Sequence, residues 1–287
     1  MPLPLRIGIC TDQNMSWDES VERWQYLEAL GFDSLWLCDH LIQPSNPTSP
    51  YFEGSTLLAA LAAVTSRARI GVLVWSNTFR HPSVLAKEAI TIDHISRGRL
   101  EVGIGAGWYQ PEHDKFGLEF PAAGQRVEQF REAVQVLDSM LRNETTTFAG
   151  EHYQIEDAPS IPLPVQRPRP PLTIGAKQKR MLRICAEYAD RWNSSGSVAE
   201  LGERNAILDE HCAAIGRDPN EIIRSLYGWA AVMSADPWAS VDAFEQVAEE
   251  YRAVGINELI IDQPNPAQFH VLERVATDVL PRLRASD

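Results

Sequence analysis

The chain has 287 residues, 44% hydrophobic and 23% charged, which is the composition of a soluble globular protein. That length suits one α/β barrel of about 250 residues plus insertions. The formal charge of −13 argues against a duplex nucleic-acid partner, which needs a basic face, though a local anion site is compatible with it.

In chain order, short strand-like runs alternate with longer helical periods. Leu5–Cys10 reads as a first strand, and Ser16 with Glu19 forms a capping box that opens a helix to about Leu30. Ser34–Leu37 is strand two, followed by a Pro/Ser/Asn-rich loop from Gln43 to Phe52 and a helix over Ser55–Val64. Arg69–Val74 is strand three, and Pro82 opens a helix that ends near Ile95. Leu100–Ile104 is strand four, and Trp108–Phe120 reads as a long loop. Val127, Phe130, Val134, Leu137 and Leu141 then lie on one face of a long helix. Thr145–Ile155 reads as an added hairpin, and the six prolines between Ala158 and Pro171 rule out helix or central strand there.

Strand five is Leu172–Ile174, with a helix over about Lys179–Tyr188, and strand six is Arg191–Asn193, with a helix over about Ala199–Ile215. Ser225–Val232 reads as strand seven, before a helix carrying Val241, Phe244, Ala248 and Tyr251. Glu258–Ile261 is strand eight, and Asn265-Pro266 is a good cap and first residue for the last helix. Eight strand-then-helix units predict a single (β/α)8 barrel domain over residues 1–287, with the hairpin and proline stretch as insertions. Met1–Arg6 lacks a signal-peptide layout, no apolar run reaches bilayer length, and the four cysteines are scattered. A cytoplasmic protein with no membrane or nucleic-acid partner is expected.

In such a barrel the reactive groups come from the C-terminal strand ends. No H-x-H or clustered set of imidazoles or carboxylates occurs there, so no metal is expected. There is no G-x-S-x-G elbow, and a glycosidase carboxylate pair from Asp39 and Asp262 is a weak alternative because Glu101 lies inside a strand. Gly103-Ile-Gly105-Ala106-Gly107 lacks the dinucleotide spacing, since Trp108-Tyr109-Gln110-Pro111 intervenes. Its small residues serve either close packing or the approach of a flat ligand to the backbone. His40, directly after strand two and beside Asp39, stands where a barrel places catalytic groups. Trp75, Trp108, Trp192 and Trp229 fall at four strand ends and predict an aromatic-walled slot for a large planar ligand. Lys177, Lys179, Arg180 and Arg191 around strand five and its helix suggest a phosphate subsite.

Together these pieces resemble the luciferase-like flavin and deazaflavin oxidoreductases. The matching stretches are Gly31–His40, Phe79-Arg-His-Pro82, Asp93–Arg99, Gly103–Trp108 with Glu112, Ile174-Gly175 and Ala189–Asn193. The resemblance implies a deazaflavin (F420) coenzyme, a small organic substrate, a homodimer and a separate reductase. FMN in a two-component monooxygenase is the alternative, and a non-catalytic flavin-binding barrel is a second. A non-proline cis peptide is implied at Leu73-Val74, behind the ring, and His40 is implied to be the catalytic group at the ring's reacting edge. Where some relatives carry a catalytic glutamate this chain has Trp108, and Glu112 is the nearest substitute. The coenzyme is implied to contact Asp39, Leu73, Val74, Trp75, Gly105, Ala106, Gly107, Trp108, Gly175, Ala176, Lys177 and Asn193. The phosphate loop, Gly175-Ala-Lys-Gln178, departs from the family's Gly-Gly-x-Gly.

Overall fold

Apolar residues at helical and alternating spacing become the two faces of each layer in a computed structural model that describes residues 5–285. The strands are β1 (Arg6–Cys10), β2 (Ser34–Leu37), β3 (Arg69–Val72), β4 (Trp75–Ser76), β5 (Leu100–Gly105), β6 (Thr145–Ala149), β7 (Gln154–Pro159), β8 (Leu172–Gly175), β9 (Arg191–Ser194), β10 (Ile223–Gly228) and β11 (Glu258–Asp262). The helices are α1 (Trp17–Leu30), α2 (Gly54–Val64), α3 (Pro82–Ile95), α4 (Gln110–Phe116), α5 (Ala123–Arg142), α6 (Lys179–Tyr188), α7 (Val198–Ile215), α8 (Val241–Ala253), α9 (Phe269–Arg274) and α10 (Leu280–Ala285). The sheet order β3-β2-β1-β11-β10-β9-β8-β5-β4, with β3 also paired to β5, is the closed parallel ring of a (β/α)8 barrel.

The chain divides into two compact units. The first comprises Met1–Asp12, Val21–Trp36 and Ala176–Asp287. Within it β1 lies parallel to β11 from Arg6 opposite Glu258 to Cys10 opposite Asp262. Ser197 and Glu200 cap α7 reciprocally, so two amides that the helix leaves unpaired find partners. The second unit comprises Gln13–Ser20 and Leu37–Gly175. There Phe130, Val134, Leu137 and Leu141 of α5 are buried, as their spacing requires. The hairpin β6–β7 is anchored to α5 by Glu132, whose carboxylate accepts the amides of Glu151, His152 and Tyr153 at 2.9–3.0 Å.

Three sequence expectations are corrected. Strand three is not continuous over Arg69–Val74: β3 stops at Val72, and a two-residue β4 resumes after the cis Leu73-Val74 peptide. Strand seven ends at Gly228, and Trp229 to Val232 form a turn. The stretch from Trp108 to Phe120 is not all loop, because α4 forms within it and ends on Gly117 in the left-handed conformation at φ 69°.

Candidate active site

The strand ends of the second unit carry a buried ion pair. Asp39, just past β2, accepts both terminal nitrogens of Arg80 at 2.8 and 2.9 Å and the Ser76 amide at 2.6 Å. Burial raises the Asp39 pKa above its ordinary value, and the guanidinium and the amide pull it back only in part. Arg80 also reaches Glu53, whose carboxylate caps α2 through the Ser55 and Thr56 amides at 2.8 and 2.7 Å. Arg80 was not singled out from the sequence, although it lies inside the quoted Phe79-Arg-His-Pro82 stretch.

The neighbouring His40 meets Glu112 of α4, Nδ1 to Oε1, at 2.9 Å. The other Glu112 oxygen accepts the Leu41 amide at 3.0 Å, so the carboxylate is fixed at both ends. Burial alone would lower the His40 pKa, but Glu112, with Cys38 and Asp39 adding to it, holds the imidazole above its ordinary value. With Nδ1 facing Glu112, Nε2 is the His40 nitrogen left for a substrate. Trp108 packs edge-on to His40, ring centroids 5.6 Å apart, and stays 68% exposed.

Helix α4 is held by a chain of short polar contacts. His113 Nδ1–H donates to the Tyr109 carbonyl at 2.9 Å, and Nε2 meets the Thr78 hydroxyl at 2.7 Å. Thr78 meets Ser76, again at 2.7 Å.

The glycines of β5 make room mainly for protein. A Cβ at Gly105 or at Gly175 would strike the Val74 side chain, one at Gly103 the Val72 carbonyl, and one at Gly107 the Ser76 and Thr78 hydroxyls. Gly107 also requires its φ of +78°. Of the two roles allowed for these small residues, close packing is therefore occupied, and Val74, half-exposed, is the surface they leave standing. Ala106 is half-buried beside them. The cis peptide falls at Leu73-Val74, where the resemblance put it.

The four-tryptophan wall is corrected. Trp75 is fully buried, its indole donating to Ser55 of α2 at 2.8 Å. Trp192 is likewise enclosed and donates to the Ala176 carbonyl at 2.9 Å. Neither ring can line an open slot; Trp108 and Trp229 keep accessible surface.

In the first unit the Ala176 amide donates to the Asn193 carbonyl at 3.0 Å, and the Asn193 side chain donates to Ser225 at 3.0 Å. Lys177 is exposed at the start of α6, whose N-cap, Gln178, makes no side-chain cap bond. Burial first, and then Arg204, lower the Lys177 pKa. Arg191 is corrected: it is buried and pairs with Glu258 at 2.6 Å, so it is no part of a phosphate subsite.

Whether these residues fit a tricyclic coenzyme is tested by one orphaned atom. Asn77, after β4, donates to the Tyr153 hydroxyl at 3.1 Å, while its Oδ1 is buried without a hydrogen-bond partner. A buried acceptor left unpaired costs free energy unless a ligand N–H meets it, and a flavin-type pyrimidine edge carries one. The residues fit.

Fold and strand ends thus define a barrel with an imidazole–carboxylate pair and a glycine-flanked valine. The chain belongs to the luciferase-like monooxygenase family, whose sequence profile matches residues 3–273. It is 30% identical to an F420-dependent glucose-6-phosphate dehydrogenase of Microbacterium testaceum, over 77% of this chain and 67% of that one. An F420-dependent secondary alcohol dehydrogenase superposes with a TM-score of 0.85 at 18% identity, covering 98% of this chain and 100% of that one. The F420-dependent tetrahydromethanopterin reductase of Methanopyrus kandleri gives 0.83, also at 18%, covering 99% and 100%.

Proposed function

We propose that the protein is an oxidoreductase that uses the 5-deazaflavin coenzyme F420 to move a hydride to or from a small organic substrate. The observation that carries this is His40, held by Glu112 on one nitrogen and free to meet a substrate on the other. Similarity to relatives named as F420-dependent supports the choice of coenzyme. When bound, F420 supplies the ring carbon that gives or takes the hydride.

Leu73, Val74, Gly105, Ala106, Gly107 and Trp108 would hold the ring, with Asn77 Oδ1 accepting an N–H from its edge. Asp39 and the Trp75 side chain act from behind, Asp39 through Arg80 and Trp75 through α2. Gly175, Ala176, Lys177 and Asn193 would take the anionic tail. His40 holds a proton at Nε2, giving it to a carbonyl or taking it back from a hydroxyl as the hydride moves. Glu112 stands in for the acid that Trp108 displaces, acting through His40. The same proposal includes a homodimer, a separate reductase and a cytoplasmic setting; no helix among the described residues is long and apolar enough to cross a membrane.

Titration with oxidised F420 and with FMN, followed by tryptophan fluorescence, tests it. We expect micromolar F420 binding read out by Trp108. His40→Ala should lower kcat by about 10²-fold or more while coenzyme affinity holds. Oxygen-consuming turnover with reduced FMN would overturn the coenzyme assignment and favour the monooxygenase alternative. Absence of any binding at micromolar concentration would overturn the site assignment.

A further inference from the structure

Strand β11 places Glu258, Ile260 and Asp262 on one face by alternation. At the start of the strand Glu258 has its cation, Arg191. At the end Asp262 has none. Its Oδ1 accepts the Tyr227 hydroxyl at 2.8 Å, and the one other charge acting on it is Asp12, which repels it. Burial, with Asp12 adding to it, pushes the carboxyl up to about 6 despite the tyrosine bond. Above that pH a largely buried negative charge stands without compensation, a costly state in a protein interior.

Asp262 opens on a cavity of about 370 Å³ within the first unit, lined among others by Trp229, Pro237, Trp238, Gln263 and Asn265. That volume lies in the range of small-ligand sites, roughly 300–1,000 Å³. No lysine, arginine or histidine is among the lining residues. The other carboxylate there, Asp236, is already engaged by the Trp238 amide at 3.0 Å and by Gln268 at 2.7 Å. Arg23 approaches only as far as Gln263 Oε1, at 3.1 Å, with its guanidinium over the Phe269 ring. The buried Trp238 indole donates to the Asp262 carbonyl at 2.8 Å, so it is coupled to the carboxylate's own backbone. One indole, that of the half-buried Trp229, beside an uncompensated carboxylate complements an organic cation, by charge at the carboxylate and by cation–π attraction at that ring. The carboxylate repels a phosphate.

We propose that the cavity at the ends of β10 and β11 binds a small organic cation, its ammonium group against Asp262 and its carbon frame against Trp229. This site stands on the first unit alone and does not depend on the coenzyme.

The test is NMR of the full chain labelled at the indole nitrogens, without coenzyme, at pH 7.5. Cyclohexylammonium, cyclohexanol and glucose 6-phosphate are titrated in turn. Saturable shifts at Trp229 and Trp238 are expected with cyclohexylammonium, with affinity at least tenfold above that for cyclohexanol, and none with the phosphate. Asp262→Asn should bring the amine down to the alcohol's level. Trp229→Leu, with an unchanged melting temperature, should weaken the amine-induced shift at Trp238. Equal affinity for amine and alcohol, an unaffected Asp262→Asn protein, tighter binding of the phosphate, or no shift at either indole overturns the proposal. If Asp262→Asn does not fold, unchanged amine affinity in folded Trp229→Leu overturns it equally. Failure here leaves the F420 titration untouched, and failure there leaves this site untouched.

Discussion

The two units treat the acids at their strand ends in opposite ways. In the second, each acid has a partner: Asp39 has Arg80, and Glu112 has His40 with the Leu41 amide. In the first, Asp262 has a tyrosine hydroxyl and no cation. A paired acid is held in position and can serve as scaffold. An unpaired one is left responsive to whatever arrives. The second unit therefore looks built to hold groups still, and the first to answer a ligand.

The largest effect should come from breaking the best-paired acid. Arg80→Ala leaves Asp39 buried without its counter-ion, and denaturant unfolding should show a loss of about 3–5 kcal/mol. A loss below about 1 kcal/mol would mean that the pair is not the anchor described.

Next in size is Glu112→Gln, which keeps the shape and removes the charge. The His40 pKa, raised in the wild type, should fall, as read by NMR titration of its ring. The stability that the charged pair contributes is present below about pH 6.5, the unfolded value. It is lost as pH rises through the higher folded value, so the variant should lack that alkaline decline. Turnover should drop about tenfold, with its alkaline limb moved to lower pH.

The smallest effect belongs to the unpaired acid. Asp262 titrates near 6 in the folded chain against 3.8 as an ordinary aspartate, so the folded state binds the extra proton between those values. Stability should fall as pH rises from about 4 to 6, by about 1–2 kcal/mol after allowance for partial exposure. Asp262→Asn should flatten that slope in a series of thermal melts; an unchanged slope would place the titration elsewhere.

Much of the barrel was legible because its signals are local. The Ser16–Glu19 box, Pro82 and Asn265-Pro266 mark helix starts in four or fewer residues. Helix α4 was not legible: Gln-Pro-Glu-His-Asp-Lys-Phe has no apolar period, and Tyr109 makes no side-chain cap. Long-range contacts from His113 to Thr78 and from Glu112 to His40 hold it. Gly117 was the one written sign of its end. At the site, His40 was readable from its place after a strand, and Glu112 from the resemblance. Arg80 was not, since nothing in a sequence ties it to an acid 41 residues earlier. The direction of Trp75 was hidden for another reason. Strand three breaks after Val72, and alternation counted across a break no longer reports which way a side chain turns.

That break also sets a rule of substitution. The space denied to a Cβ at Gly105 and at Gly175 is taken by one residue in the break between β3 and β4, Val74. The three positions form a single unit of inheritance: a methyl gained on either glycine needs methyls given up at the valine. Each change alone is a collision or a void, and only the pair is neutral. A lineage altering the floor of this site must cross that gap in linked steps, so drift there is slow even where no atom takes part in chemistry.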